Sequence, residues 1–200
     1  ALDITPMNAN ASNTIFVDGV EDESAEFVNR SLKIQVGVTH QRHEYASTRL
    51  QILGHYEYVR ESTPEVEAYW EHPFIGIGLQ QRLQWLRSHE PYRNRWDGVR
   101  LEGMGEGYFG DERWARLKGE LGLGRRLGRF HGMLRGTYLY GNNLNLVNRF
   151  LVGSGWEMPG VNTLMGHRYG EFRVAHGLTT QASLDIGLAG EWEVGLRAGL

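Results

Sequence analysis

Between Gly98 and Gly110 the chain places Val99, Leu101, Gly103, Gly105, Gly107 and Phe109 on one side of an extended backbone and Arg100, Glu102, Met104, Glu106 and Tyr108 on the other. Trp114 to Arg125 repeats the pattern, with Ala115, Leu117, Gly119, Leu121 and Leu123 opposite Arg116, Lys118 and Glu120. Phe130 to Tyr140 repeats it again, setting Phe130, Gly132, Leu134, Gly136, Tyr138 and Tyr140 against His131, Met133, Arg135 and Thr137. A period of two is the mark of a strand. The glycines tell which face is which. In a water-soluble core Gly103, Gly105 and Gly107 would leave voids costing about 1 kcal/mol each, whereas a face turned to lipid has no core to fill. The apolar face is therefore outward and the charged face inward, the reverse of a soluble sandwich. The three segments predict an all-β fold: a transmembrane, antiparallel, up-and-down β-barrel with a polar interior.

The alternation extends to both sides of these segments. Leu32 to Thr39 sets Leu32, Ile34, Val36 and Val38 against Lys33, Gln35 and Thr39, and Arg49 to Val59 sets Leu50, Ile52, Gly54, Tyr56 and Tyr58 against Gln51, His55 and Glu57. Glu65 to Trp70 predicts a short strand, punctuated by His72-Pro73 because proline lacks a ladder donor. Phe74 to Leu86 turns Ile75, Ile77, Leu79, Leu83 and Trp85 outward and Gln80, Arg82 and Gln84 inward. Arg173 to Gly187 and Glu191 to Leu200 resume the rhythm, with Thr179, Gln181, Ser183 and Asp185, then Glu191, Glu193 and Arg197, on the polar side. The result is about nine or ten strands, each near the roughly 9–11 residues that a tilted strand needs to cross a bilayer. Aromatic residues such as Tyr56, Tyr58, Trp70, Trp85, Phe109, Tyr138, Tyr140 and Trp192 fall near the ends of the apolar faces, at headgroup level.

Two stretches stand outside the rhythm. Residues 1–30 form a polar segment leading into the barrel domain of residues 31–200; its acidic cluster, Asp18, Glu21, Asp22, Glu23 and Glu26, reads as a solvated loop because the ligand order of a calcium loop is absent. Gly141 to Gly170 forms a long loop, and a segment of that length in a compact domain is functional or disordered.

Composition narrows the setting. With 21 basic and 24 acidic residues and a net charge of -3, the chain has no basic footprint for nucleic acid. Without cysteine it has neither disulfide staples nor thiolate metal sites. A mean hydropathy of -0.44 excludes helical membrane spans and leaves barrel strands untouched, since these are only half apolar. The first residues carry neither a charged n-region nor an apolar h-region, so the sequence reads as a mature or partial form of an exported chain.

Asn148 to Arg173, NRFLVGSGWEMPGVNTLMGHRYGEFR, resembles the loop-six region of the Omp85 superfamily, the outer-membrane barrels related to BamA, the two-partner secretion transporters and the D15 surface antigens. Arg149-Phe150 with Gly153 and Gly155 is similar to the end of the strand before that loop, and Leu164-Met165-Gly166-His167-Arg168-Tyr169-Gly170 to the motif that folds back into the lumen. RWDGVRLEG, Arg95 to Gly103, is similar to a strand opening of the family. The resemblance runs from about Arg95 to Leu200 and implies an arginine that locks the loop against an acidic residue of the barrel wall. Met165 stands where the family has that arginine and His167 where it has an aromatic residue, so Arg168 is the candidate for the role, with Asp185, Glu193 or Glu120 as its partner. The family's barrels are larger than this chain supplies. It is a fragment, a smaller barrel, or a chain that closes by pairing with another copy, because an open edge in lipid is not viable.

Covalent chemistry has little to stand on. His40 and His43 fall on different faces of a strand or turn. Gly153-Ser154-Gly155 is not a G-x-S-x-G elbow, and the pair that would suit an outer-wall lipid hydrolase is His176 with Ser183. Glu102, Glu106 and Glu120, facing Arg82, Arg100, Arg116, Lys118 and Arg135, read as an interior salt-bridge lattice rather than as catalytic acids. The expectation is a non-enzymatic barrel of the bacterial outer membrane without cofactor or metal. By the resemblance it inserts or translocates polypeptides or anchors a periplasmic domain, its partners being outer-membrane lipid, client polypeptide, accessory periplasmic subunits and other copies of itself. The alternatives are a passive pore whose lumen charges set selectivity, and, further off, a soluble all-β binding domain or a barrel lipid hydrolase.

Overall fold

A computed structural model describes residues 2–17, 20–42, 44–61, 71–90, 95–110, 112–144, 148–153, 161–162, 172–187 and 193–199. Every regular element among them is a strand: β1 (Leu2–Val17), β2 (Val20–Arg42), β3 (Ala46–Glu61), β4 (Glu71–Glu90), β5 (Arg95–Phe109), β6 (Trp114–Leu127), β7 (Phe130–Asn142), β8 (Phe150–Val152), β9 (Val161–Asn162), β10 (Phe172–Val174), β11 (His176–Gly187) and β12 (Glu193–Gly199). Nine of them form one sheet in the order β1-β2-β3-β4-β5-β6-β7-β11-β12. Every ladder in it is antiparallel, so this is a meander with one long excursion between β7 and β11.

The faces sort as the alternation predicts. On one face Leu50, Ile52, Ile75, Ile77, Leu79, Leu121, Leu134, Leu178 and Leu196 stand open, with Ile75 at 69 % and Leu178 at 68 % exposure. Opposite them Gln51, Glu106, His131, Thr137, Thr179 and Asp185 are buried. From Leu32 to Val38, Thr48 to Tyr56, Ile75 to Trp85, Val99 to Phe109, Ala115 to Leu123, Phe130 to Tyr140 and Leu178 to Ile186, the outward positions carry no charged side chain. Two polar side chains in this band, Thr48 and Gln81, satisfy each other: the Thr48 hydroxyl donates to Gln81 Oε1 at 2.5 Å.

Polar burial on a single sheet requires curvature, and the ion pairs supply its measure. Lys33 of β2 reaches Glu106 of β5 at 3.0 Å, and Arg95 of β5 reaches Asp185 of β11 at 3.0 Å. Each pair skips two strands, a separation of roughly 14 Å between backbones in a flat sheet. The sheet is therefore curled, with its charged face concave. It is not closed into a barrel. Among the described residues no ladder joins β1 to β12. As first and last of nine antiparallel strands these two run in the same direction, so direct closure would be parallel and an antiparallel closure needs a further strand.

Glycines on the two faces serve different ends. Outward, Gly103, Gly107, Gly119 and Gly136 face open space. Inward, Gly98 sits at φ +142° opposite the register shift between Leu86 and Ser88, where a Cβ would fall on the Trp85 carbonyl. Gly128, at φ +60°, opens the two-residue turn between β6 and β7 as a glycine-first hairpin turn requires.

The structure departs from the sequence reading in two places. Residues 2–17 and 20–30 are paired strands rather than a solvated loop: Leu2↔Val38 through Val17↔Val20 form one long hairpin. Ladder hydrogen bonds come from the backbone, so a polar segment without an apolar face can still pair. β8 and β9 lie within the long loop, where sequence predicts no elements, and with β10 they make a small second sheet in the order β10-β8-β9; β10 takes up the start of the strand predicted from Arg173, which continues in the main sheet as β11. The predicted strand from Glu65 to Trp70 lies outside the described residues.

Candidate functional site

Cross-strand register builds the concave face in rows, because directly paired residues share a side. Close to the loop end one row joins Leu53, Gly76, Tyr108 and Trp114. The next joins Gln51, Gly78, Glu106 and Arg116, and then Arg49, Gln80, Met104, Lys118 and Leu139. Beyond these come Arg82, Glu102, Glu120 and Thr137, then Gln84, Arg100, Gly122, Arg135 and Gln181.

The carboxylates are each held by more than one group. Glu106, 6 % exposed, receives Lys33 Nζ at 3.0 Å, Arg116 Nη2 at 2.7 Å and the Tyr108 hydroxyl at 3.3 Å. Gly78, in register with Gln51 and Glu106, puts no side chain between them. Glu102 and Glu120 are direct cross-strand partners, an arrangement of like charges that is unfavourable by itself. Cations bracket both: Arg82 at 3.2 Å and Arg100 at 3.0 Å for Glu102, Lys118 at 4.0 Å and Arg135 at 3.4 Å for Glu120. Gln80 adds an amide donor to Glu102 at 2.8 Å.

Aromatic layers bound this charge lattice. At the loop end Tyr108 stacks on Trp114 with centroids 3.9 Å apart, Phe74 meets Trp114 edge-on at 5.9 Å, and His55 packs against all three rings. Leu53 and Leu139 complete the layer, and from the long excursion Leu144, Phe150 and Val152 bury themselves in it, with Phe172 and Val174 alongside. Leu144 tucks over Gly141, where a Cβ would collide with it. At the other end Trp96, 2 % exposed, lies over Gly122 and Gly124, and its carbonyl accepts from His131 Nε2 at 3.0 Å.

Arg100, Glu102, Arg116, Glu120 and Arg135, read from sequence as one lumen surface, do stand together here. Asp185 is engaged by Arg95, and Glu120 by Lys118 and Arg135. Leu164, Met165, Gly166, His167 and Arg168 lie outside the described residues, as does the side chain of Glu193. The hydrolase pair is undone: His176 is paired with Tyr140 on the outer face, whereas Ser183 is paired with Met133 on the inner one. Among the described residues no three His, Asp or Glu side chains converge as metal ligands. Trp96 lies just ahead of the alternating segment that starts at Gly98 and is not among the lumen candidates read from the sequence. Its even parity with Arg100 and the facing Gly122 and Gly124 carried the signal. Neither a scan against protein-family models nor a search of the curated proteins finds a match for this chain.

Proposed function

We propose that this sheet is the wall of an outer-membrane β-barrel, with lipid against its convex face. The observation that carries the reading is the inversion of the faces: an apolar surface on which Ile52, Ile75, Ile77, Leu178 and Leu196 each stand more than half exposed, over an ion-paired interior. Three features support it. Exposed aromatic residues edge the apolar band, Tyr56, Phe109, Tyr138 and Tyr140 towards the loop end and Tyr45, Trp85 and Phe130 towards the other. The connections at the Tyr45 end span only 43–45, 91–94, 128–129 and 188–192, while the longest, 62–70 and 143–175, lie opposite, the asymmetry of outer-membrane barrels. Thr48 and Gln81, polar groups within the band, are hydrogen-bonded to each other, as a surround without water demands.

Within that class we favour the Omp85-like role, insertion or translocation of polypeptide or anchoring of a periplasmic domain. Leu144, Phe150 and Val152 of the excursion pack onto the concave face, as a loop bracing the lumen would. No covalent step is needed: a client strand exchanges hydrogen bonds at a strand edge. The passive-pore reading has less support, because aromatic layers fill the concave face at both ends of the charge lattice. Single-tryptophan variants in vesicles of brominated lipid test the orientation. Trp85 should be quenched and Trp96 should not; equal quenching, or a chain monodisperse in buffer without detergent, would sink the proposal. Planar-bilayer recording tests the role: conductance only after deletion of residues 143–171 fits it, and a steady open conductance of the intact chain overturns it.

A further inference from the structure

We propose that the convex face pairs with a second copy of this chain, about a two-fold axis through Gln81 of β4. Gln81 points outward within the apolar band, between Leu79 and Leu83, and its carbonyl oxygen accepts from the Thr48 hydroxyl at 2.5 Å. The amide nitrogen keeps two N–H donors, and among the described residues neither has an acceptor. Turning the amide over would only exchange which half is unmet. Against lipid no water meets those donors, so the inference rests on the lipid-facing reading, and an unmet polar group in that setting is costly. Hydrocarbon at that depth offers no acceptor either. A second Gln81 does, because an amide is its own complement: across a two-fold each nitrogen donates to the other copy's carbonyl oxygen, which has a second lone pair to accept it.

The relief of the face around Gln81 is self-complementary about the same axis, an observation independent of the amide. On the β3 side Leu50 and Ile52 form a ridge, 56 and 64 % exposed, in register with Leu79 and Ile77 of β4. On the β5 side Leu79 and Ile77 have Gly105 and Gly107 as neighbours, and Gln81 has Gly103. A Cβ on Gly103 or Gly107 would meet nothing within 4 Å, and one on Gly105 only the Leu117 side chain at 3.6 Å. Both copies enter the bilayer in the same sense, so the axis stands along its normal and carries the β3 side of one copy onto the β5 side of the other. Ridge then meets hollow twice, as an isologous contact requires. Two convex walls touch over only a few strands. The missing side chains at positions 103, 105 and 107 let the backbones close far enough for Gln81 to reach its twin. Small residues beside a polar side chain also drive helix association in lipid, where apolar area alone gives no preference for protein over lipid.

The chain has no cysteine, so single cysteines report the pairing directly. In the full chain folded into phosphatidylcholine vesicles, Leu79→Cys, one outward position from the axis, should be joined to its twin by a short bis-maleimide. Leu178→Cys, 68 % exposed on the same face but four strands away, should not. Förster transfer between labelled copies over a series of lipid dilutions gives the association constant. Gln81→Leu, more apolar and equally accommodated by lipid, should weaken association about tenfold through the loss of two hydrogen bonds. Gly105→Leu, which fills the hollow, should weaken it at least as much, and Gly136→Leu, on the same face outside the contact, should leave it unchanged. Heat-modifiable gel migration confirms that each variant is folded. A parent chain that is monomeric at every dilution, Gln81→Leu associating as the parent does, or Leu178→Cys linking as readily as Leu79→Cys overturns the assignment. Lipid quenching separates this failure from that of the membrane reading: Trp85 quenched in a monomeric chain refutes the pairing alone, and Trp85 unquenched in a monomeric chain removes both.

Discussion

Leu79 stands midway along the outward series of β4, Ile75, Ile77, Leu79, Leu83 and Trp85, half exposed and without a charged neighbour on its face. Arginine at this position separates the lipid-facing proposal from a surface that meets water. At the bilayer midplane an arginine on the wall of a barrel costs about 2–4 kcal/mol, falling to about 0–1 near the interfaces. On a wet surface the same change stays within about 0.5 kcal/mol. Trp85→Arg, at the edge of the band, serves as the internal reference because burial depth alone should separate the two variants. Reversible denaturant unfolding in lipid vesicles measures both, and the expected result is Leu79→Arg destabilised by about 2–4 kcal/mol with Trp85→Arg near the parent. Equal and small effects for the two would refute the lipid-facing assignment, whatever the fold.

Further expectations follow from single contacts. Glu106→Gln strands Lys33 and Arg116 in a buried site and should cost about 3–5 kcal/mol in the same unfolding measurement, with part of the loss recovered when Lys33→Met is added. Gly98→Ala, forced to a positive φ against the Trp85 carbonyl, should cost about 1–3 kcal/mol, whereas Gly103→Ala, facing open space, should change stability by less than about 0.5 kcal/mol. Phe150→Ala removes an excursion side chain from the aromatic layer of Tyr108 and Trp114. It should speed proteolytic cleavage within residues 143–175 while leaving the β5 to β7 ladders intact by amide exchange; unchanged cleavage would mean that the excursion is held by other contacts.

Much of the sheet was legible because strand chemistry is local. Val99 to Phe109 and Ala115 to Leu123 declare their faces by alternation alone, and short turns such as Gly128-Arg129 leave a meander as the economical connection. Residues 2–30 were not legible for the converse reason: their pairing is carried by backbone groups, which no side-chain periodicity reports. β8 and β9 are not legible because strands of two or three residues have no period to read.

The charge lattice of the concave face was legible in membership and not in partnership. Arg100, Glu102, Arg116, Glu120 and Arg135 were assigned to one surface from parity, but parity cannot say that Glu102 and Glu120 stand side by side or that Lys33 closes on Glu106. By itself the sequence determined which side of each strand is apolar and which is charged. Only the tertiary structure decided how tightly the charged side is enclosed. Curvature of the sheet brings together side chains three strands apart, lays Trp96 over Gly122 and folds Phe150 onto Trp114, because those meetings depend on the summed twist of many ladders rather than on any one segment's pattern.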